Sequence, residues 1–486
     1  MPSKTKPNNF TLGVAFVLAI TLWRVVFLWF DKTDLFVDEV QYWFWGQNLD
    51  FGYYSKPPMI AWVIRAVNEV VGSDARFWVR LPAPLFHMAT GLILMQAGSR
   101  FYDRQTAAWV GPVYVLLPAV VLGSVLFSTD TVMLCFYATA MLAYFGLTQK
   151  ASIPNALLMG AAIGLGLMSK YAMIYFVLCA GLAMVFLPSA RISVRDGLIA
   201  TTVALVLVAP NLAWNLNNGG TTFKHTAKNA SWDGFQFNLG NWAEFFLSQF
   251  GVFGPILFGA LIVITGSALA RKVARRDVHL LFLSLPILGF MFWQALVSRA
   301  YANWAAATYI AASILVTHWL LTHARRWLIA SQVLHLFIAL LLPVLLLFPA
   351  QIVLPNGDPL LKRYMGRAQL SRDIHDIAIG AGLTNILSSD RDILSDLHYT
   401  LKGQPVRILS MPTSSFPRHY YQQNFAVPAG FDAPSLYVTF RAVPECPDAE
   451  VVATQPITSG AYAGRTLTAV RFGAACMAQI SPATGT

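Results

Sequence analysis

Long apolar segments dominate the first two thirds of this 486-residue chain. A run of about 20 apolar residues is long enough to cross a bilayer as an α-helix. The hydropathy pattern therefore predicts a polytopic α-helical membrane protein with eleven spans before about residue 350. The predicted spans are 11–30, 81–99, 106–123, 129–148, 155–169, 171–187, 197–213, 244–269, 279–298, 302–321 and 328–349.

Basic residues fall in every second loop between these spans, which sets the orientation of the chain. Cytoplasmic loops carry an excess of Lys and Arg, so the N-terminus is predicted inside and, with an odd number of spans, the C-terminal segment outside. The first apolar segment follows a basic stretch but lacks a clear small-residue cleavage site, so we interpret it as a retained span. The basic residues on the predicted inner side are Lys4, Lys6, Arg100, Arg104, Lys150, Arg191, Arg195, Arg271, Lys272, Arg275, Arg276, Arg325 and Arg326.

Charged residues make up only 12% of the chain, about half of the usual ~25% of soluble domains. The net charge of +11 is explained by the basic inner loops and by contacts with lipid headgroups. No basic run lies on a soluble helix or sheet, which argues against a nucleic-acid partner. The composition predicts a membrane domain over 1–350 and a C-terminal domain outside the membrane over 351–486.

A long loop at 31–80 is predicted on the outer side, after the first span. Within it, apolar residues from Ile60 to Val71 recur at helical spacing, which is typical of a helix lying in the membrane interface. Pro58 suits the start of that helix. A second outer loop is predicted at 214–241, with a turn at its Asn-Gly-Gly sequence.

The C-terminal segment has the pattern of a small α/β domain. Strands are predicted at 385–390, 405–409, 436–440 and 466–470, and a helix at 391–401. Cys446 and Cys476 lie in this segment, and if it is periplasmic a disulfide between them is expected.

Acidic residues on the predicted outer side are the first candidates for chemistry. Asp38 and Glu39 follow the first span directly, and Asp130 begins the fourth. Carboxylates next to a membrane are costly, so they indicate a chemical role such as base catalysis. The alternative is structural, since acids are also favoured at the start of a helix.

Four cations share this predicted face: Lys56, Arg80, Lys170 and Arg299. A cation held near the membrane surface suits a lipid phosphate, and Lys56 on a Pro-Pro corner has restricted reach. Each of them also suits a simple headgroup anchor. His225 fits a base, a metal ligand or an ordinary loop residue. The sequence contains no metal-ligand spacing such as CxxC or HExxH and no nucleotide-binding glycine loop. It neither identifies nor excludes a site for a divalent metal.

Taken together, these residues resemble a known family, the bacterial membrane glycosyltransferases of the protein O-mannosyltransferase superfamily, which have the GT-C fold. The group includes lipid A aminoarabinose transferase and the lipid A and core galacturonic acid transferases. The resemblance covers about residues 10–350. The motifs that carry it are Asp38-Glu39, Gly52-Tyr53-Tyr54-Ser55-Lys56-Pro57-Pro58, Val79-Arg80-Leu81-Pro82, Thr129-Asp130, Trp214-Asn215, Asn218-Gly219, His225 and Ala302-Asn303-Trp304.

The resemblance implies an inverting transfer of a sugar from a polyprenyl-phosphate donor, at the periplasmic face of the inner membrane, to lipid A, core or another acceptor. It implies that Asp38 is the base, that Asp130 is a second acid, and that Lys56 and Arg299 hold the donor phosphate. Tyr54, His225 and Asn303 are further candidates. Gln41 stands where aminoarabinose transferases often have an arginine, and Ser55 where they have an acid. These departures argue against a cationic aminoarabinose donor and against a metal held at that acid.

The sequence leaves two alternative functions. A protein O-mannosyltransferase-like enzyme would share the same motifs and differ only in its acceptor. A transporter or flippase of lipid-linked sugars would carry ionisable residues at mid-membrane and an internal repeat. The polar residues here collect at the predicted outer face, and no repeat is visible, so the pattern favours the enzyme.

The alternation of basic loops makes a direct prediction about topology. Reporter fusions at Arg275 and at Gln404 are expected to report opposite sides of the membrane, because an odd number of predicted spans separates the N-terminus from the C-terminal domain. Finding both fusions in the cytoplasm would contradict the orientation.

Overall fold

The fold is described here from a computed structural model, which covers residues 9–230, 237–413 and 416–481. Lys4 and Lys6, and residues 231–236 of the predicted second outer loop, lie outside the described residues.

The described residues are mostly α-helical. The helices, in chain order, are α1 (Asn9–Trp29), α2 (Val37–Trp45), α3 (Met59–Val71), α4 (Arg76–Arg80), α5 (Pro82–Phe101), α6 (Arg104–Leu116), α7 (Pro118–Gly123), α8 (Thr129–Gln149), α9 (Ile153–Ser169), α10 (Ile174–Phe186), α11 (Val194–Asn217), α12 (Thr221–Ala230), α13 (Leu239–Val252), α14 (Pro255–Leu269), α15 (Arg275–Phe282), α16 (Leu285–Val297), α17 (Thr308–His323), α18 (Arg325–Leu345), α19 (Arg367–Gly380), α20 (Arg391–Thr400), α21 (Tyr420–Asn424) and α22 (Ala474–Ile480).

The chain divides into two compact units. The first unit contains the residues up to Phe30, Asp50–Gly52 and Lys56–Val344. The second contains Asp31–Leu49, Tyr53–Ser55 and the residues from Leu345 onward. Helix α2 and its flanking residues therefore group with the C-terminal part of the chain, although they come directly after α1. The functional division into a membrane catalytic domain over 1–350 and a periplasmic domain over 351–486 stays a prediction.

Small residues bring helices of the first unit close together. Helix α9 packs against both α8 and α11. A Cβ atom added to Gly160 of α9 would lie 2.4 Å from the carbonyl oxygen of Ala200 in α11, so only glycine fits there. Close backbone approach through small residues is typical of membrane helices, which gain packing contacts in place of a hydrophobic driving force.

Five helices of the described chain are long and apolar enough to cross a membrane, and up to seven when two bent pairs each count as one span. Many of their large apolar side chains are exposed, among them Leu18, Leu22 and Val26 of α1, as expected for side chains that face lipid. Other predicted spans coincide with shorter helices, such as α9 with 17 residues and α17 with 16. The count of eleven spans stays a prediction.

The predicted span at 244–269 is not one straight helix. Helices α13 and α14 meet there at 115°. Gly254, between them, has a φ of +94°, which favours glycine, and Pro255 follows it at the start of α14. Hydropathy alone reports only that both halves are apolar, so it could not reveal this break.

Most of the predicted loop at 214–241 is helical instead. Trp214 to Asn217 extend α11, and 221–230 form α12. Polar side chains bond to the helical backbone here: the Asn218 amide donates to the carbonyl of Trp214 at 2.8 Å. The predicted turn is confirmed, because Gly219 and Gly220 have φ values of +64° and +70°.

The second unit contains the only sheet among the described residues. Its strands are β1 (Asn385–Ser388), β2 (Arg407–Ser410), β3 (Ser435–Thr439), β4 (Ala449–Pro456) and β5 (Thr466–Phe472). The order is β2-β1-β3-β5-β4, with β1 parallel to β2 and β3, and β5 antiparallel to β3 and β4. The small C-terminal α/β sheet and the helix that follows β1 are thus confirmed.

Strand β4 was not predicted from the sequence pattern. This strand lies at the edge of the sheet and is mostly exposed, so its residues lack the buried apolar alternation that marks a strand. Near its start, a disulfide joins Cys446 to Cys476 of α22, with a Cα–Cα distance of 5.1 Å. The described free cysteines, Cys135 and Cys179, are both buried in the first unit.

Aromatic contacts hold α2 against α20 within the second unit. The ring of Phe44 lies 4.3 Å from that of His398, and the ring of Trp43 lies 4.8 Å from that of Tyr399. His398 is also stacked on Tyr421. This packing fixes the face of α2 that presents Asp38, the acid singled out from the sequence.

Burial lowers the pKa of His398 to about 3. The unfolded chain binds this proton near pH 6.5, so folding favours the neutral ring and stability is lost as the pH falls below 6.5. We expect His398 to cost about 2 kcal/mol of unfolding free energy between pH 6.5 and 5, at about 1.4 kcal/mol per pH unit. Thermal unfolding of the full chain in detergent at both pH values measures this loss.

The variant His398→Phe keeps an aromatic ring and removes the proton, so its acid sensitivity should be smaller. His375→Phe, in α19 of the same unit, is the matched control and should retain the wild-type sensitivity, because it leaves the buried ring of His398 in place. Equal acid sensitivity in wild type and His398→Phe would show that the loss of stability at low pH does not come from His398.

Candidate active site

The two adjacent acids of α2 have different environments. Glu39 is buried, with 2% of its surface exposed, and its Oε2 accepts a hydrogen bond from the backbone N–H of Phe36 at 2.9 Å. It therefore caps the start of α2. The side chain of Asp38 is 47% exposed. Of the two, Asp38 is the acid that a substrate can reach.

Asp38 is paired with an arginine that the sequence did not single out. Nη2 of Arg391 donates to Oδ1 of Asp38, and its Nε donates to Oε1 of Gln41 at 2.8 Å. Asp38 and Gln41 are three residues apart and so lie on one face of α2. Arg391 is the first residue of α20, which packs against α2.

Two residues of the Tyr53–Ser55 segment complete this cluster. The amide of Gln41 donates to Oγ of Ser55 at 3.5 Å, and the hydroxyl of Tyr54 donates to the carbonyl of Pro417 at 2.8 Å. Burial raises the pKa of Tyr54, although the positive charge of Arg391 opposes that shift. Tyr54 therefore carries its proton at neutral pH. We call Asp38, Gln41, Tyr54, Ser55 and Arg391 the Asp38 group.

The guanidinium of Arg391 is positively charged at neutral pH. Burial lowers the pKa of its guanidinium, but the carboxylate of Asp38, together with Tyr421 and Tyr42, raises it, and the net pKa is raised. The Asp38 group thus contains one carboxylate and one permanent cation, both partly exposed. Neutral polar side chains supply the remaining contacts.

A second acid–cation pair lies in the first unit. Nζ of Lys170 is 2.7 Å from Oδ1 of Asp130, and Nδ2 of Asn303 donates to Oδ2 at 3.1 Å. The N-cap position of α8 belongs to Ser128, with Asp130 in the first turn. Both oxygens of Asp130 therefore bond to distant side chains. We call Asp130, Lys170 and Asn303 the Asp130 group.

Helix α11 positions Lys170 through its neighbour in the sequence. Lys170 follows the end of α9 and precedes a short 3-10 turn at Tyr171–Met173. The hydroxyl of Tyr171 donates to Oδ1 of Asn211 at 2.7 Å and accepts from Nδ2 of Asn215 at 3.1 Å. Two asparagines of α11 thus fix the turn that begins at Lys170.

The Asp130 group borders a largely apolar cavity of about 520 Å³ in the first unit. Asp130, Tyr301 and Asn303 contribute polar atoms to its lining, while leucine, valine and alanine side chains supply most of the rest. A cavity with this lining suits an apolar chain that ends in a polar group.

The other predicted site residues, all in the first unit, lie on different elements of the chain. Arg80 is 1% exposed at the end of α4, whereas Arg299 is exposed and lies 5.2 Å from the ring of Tyr301. Lys56 precedes α3, and His225 lies in α12. Among the described residues, no group of three or more His, Cys, Asp or Glu side chains has the geometry of a metal site.

Comparison with known proteins gives these clusters a context. A family described as dolichyl-phosphate-mannose-protein mannosyltransferase matches residues 55–214. Lipid A galacturonosyltransferase RgtD of Rhizobium johnstonii is 45% identical over 469 residues, which cover 96% of this chain and 99% of RgtD. The chain belongs to the family of bacterial glycosyltransferases that includes RgtD.

The fold of this glycosyltransferase is that of a solved relative. ArnT of Cupriavidus metallidurans, in a crystal structure with undecaprenyl phosphate, matches with a TM-score of 0.63 and 16% identity over 94% of this chain and 97% of ArnT. The GT-C fold expected from the sequence is thereby confirmed, and the chain is a multi-pass bacterial membrane protein. Lipopolysaccharide core galacturonosyltransferase RgtA, also of R. johnstonii, is 31% identical over 44% of this chain and 42% of RgtA.

The Asp130 group leads to a test of its internal coupling. Lys170→Met and Asp130→Asn each remove one charge of a pair that is less than one fifth exposed. Because the two side chains touch, we expect their effects on the unfolding free energy to be non-additive by about 0.5–3 kcal/mol. Thermal unfolding of the two single variants and the double variant in detergent gives this coupling.

The matched control replaces Lys150, an exposed residue just beyond the other end of α8. Lys150→Met combined with Asp130→Asn should be additive within about 0.5 kcal/mol. If the effects of Lys170→Met and Asp130→Asn on the unfolding free energy are additive to the same degree, the interaction between these two side chains does not contribute to stability.

Proposed function

We propose that this glycosyltransferase moves a galacturonosyl group from a polyprenyl-phosphate donor to a hydroxyl of lipid A, at the periplasmic face of the inner membrane. The 45% identity with RgtD over nearly the whole of both chains supports the sugar and the acceptor. The observation that carries the chemistry is the half-exposed carboxylate of Asp38, held in place by Arg391.

Asp38 acts as the general base in this proposal. Its Oδ2 makes no hydrogen bond within the described part of the chain, so it is open to an acceptor hydroxyl. As the hydroxyl oxygen attacks the anomeric carbon, Asp38 takes its proton. The bond from that carbon to the phosphate oxygen breaks, and polyprenyl phosphate leaves with the electron pair. Attack opposite to the leaving group inverts the anomeric centre.

Cations of the first unit bind the donor phosphate. A phosphate whose negative charge grows in the transition state is stabilised by a cation that binds it more tightly at that stage. Lys170 is held in place by its turn, Arg299 is exposed, and Lys56 lies on its Pro-Pro corner. The apolar cavity beside Asp130 and Asn303 has the lining that a polyprenyl chain requires. No nucleotide and no ATP enter the reaction.

The acceptor has one specific alternative. The family description that matches residues 55–214 names a protein mannosyltransferase, which favours a protein as second candidate. Mass spectrometry of lipid A and of periplasmic proteins from a deletion strain separates the two. Loss of a uronic acid from lipid A supports the proposal, and loss of a hexose from a protein supports the alternative.

The role of Asp38 predicts a selective loss of activity. Asp38→Asn keeps the size of the side chain but cannot take a proton, so the transfer rate from polyprenyl-phosphate galacturonic acid to lipid A should fall by about 10²–10⁴. The melting temperature should change little, because the carboxylate is half exposed.

Asp376→Asn is the matched control, since Asp376 is an 81% exposed acid in the same unit. It should transfer at the wild-type rate. A near wild-type rate for Asp38→Asn, with folded protein in both preparations, would show that Asp38 is not the base.

A further inference from the structure

Arg391 has hydrogen-bonding capacity that its own chain does not use. Its Nε and one N–H of Nη2 are occupied by Gln41 and Asp38, which anchor the guanidinium in one orientation. Nη1 makes no hydrogen bond within the described part of the chain, and the side chain is 35% exposed. The Nη1–Nη2 edge therefore presents parallel N–H groups to a ligand, the arrangement that binds a carboxylate through two hydrogen bonds.

The charge of this cluster is balanced only while Asp38 is ionised. Gln41 and Ser55 are neutral, so Asp38 is the sole carboxylate that hydrogen-bonds to Arg391 in the described residues. When Asp38 takes the acceptor proton, the guanidinium loses its counter-charge. A second anion bound to the free edge would restore the balance at that moment and so favour the transition state.

We infer that Arg391 is a specificity-determining residue that binds the carboxylate of the galacturonosyl group. This inference rests on the proposed function, which supplies both the uronic acid and the role of Asp38. The anchoring by Gln41 and Asp38 makes the guanidinium a rigid receptor. A neutral hexose has a hydroxymethyl group in place of the carboxylate, so it leaves the free edge of Arg391 without an anionic partner.

A phosphate would satisfy the same edge, but the geometry of inversion argues against the departing one. The base and the leaving group act on opposite sides of the anomeric carbon. Arg391 is bonded to the base, so it lies on the side of the incoming acceptor, away from the departing phosphate. Anions available on the side of Asp38 belong to the sugar or to the acceptor, and only the sugar carboxylate distinguishes one donor from another.

The test is a competition between two donors in one reaction. Polyprenyl-phosphate galacturonic acid and polyprenyl-phosphate galactose are supplied together with lipid A, and the ratio of the two products gives the ratio of kcat/KM. Arg391→Gln should lower the preference for the uronic acid by about 10- to 100-fold, because a charge-assisted hydrogen-bonded contact is lost. The product ratio does not depend on how much of the variant is folded.

Arg441→Gln is the matched control. Arg441 is 71% exposed and pairs with Asp390, the residue before Arg391, at 3.3 Å. This variant should keep the wild-type preference. Arg391→Lys keeps the charge but not the forked geometry, so its preference should be intermediate.

The outcomes separate the inference from the proposed function. If the wild type transfers uronic acid and Arg391→Gln slows both donors equally, Arg391 acts on Asp38, a phosphate or the acceptor, and the inference is wrong. If the wild type transfers no uronic acid, the proposed function itself fails. If Arg391→Gln gives no product, the binding of each donor is measured instead on two proteins, Asp38→Asn alone and Asp38→Asn combined with Arg391→Gln. The same preference for the uronic acid donor in both proteins overturns the inference.

Discussion

A carboxylate at the edge of a membrane needs a cation or water to compensate its charge, and two of the three acids singled out in this chain meet a cation. Asp38 is paired with Arg391 and Asp130 with Lys170. In each pair a further neutral amide makes a hydrogen bond, from Asn303 to Asp130 and from Arg391 to Gln41. The cation supplies a counter-charge to the acid, and the amide fixes the orientation of the pair.

The two pairs differ in exposure, and this difference suits different tasks. Asp130 and Lys170 are 17% and 19% exposed, and both carboxylate oxygens of Asp130 are bonded, which suits a structural or binding element. Asp38 is nearly half exposed and retains a free oxygen in the described structure, which suits proton transfer. Glu39, its neighbour, is used to cap a helix. The residue type of an acid therefore does not predict its role until the burial of its side chain is known.

Much of this arrangement could be predicted from the sequence. Periodicity identified helix α3 and four of the strands, and the motifs identified Asp38, Asp130 and Asn303 as candidates. Lys170 was a candidate because it is a cation on the predicted outer face. Arg391 was missed because nothing local marks it: its partner lies 353 residues away, and its own segment resembles any amphipathic helix start. The bend at Gly254 and the edge strand β4 were missed because neither changes the apolar pattern on which hydropathy and alternation depend.

The second unit is built from two parts of the chain that are made at very different times. Helix α2 leaves the ribosome early, whereas Arg391 is added 353 residues later. At about 5–20 residues per second, the interval is roughly 20–70 s. During it, Phe44 and Trp43 have no α20 to pack against, and Asp38 has no guanidinium. A nascent chain thus reaches the membrane before the Asp38 group can form, and translation must pass α20 before Asp38 gains its cation. Premature termination anywhere before α20 would leave an inserted chain in which the proposed base lacks Arg391.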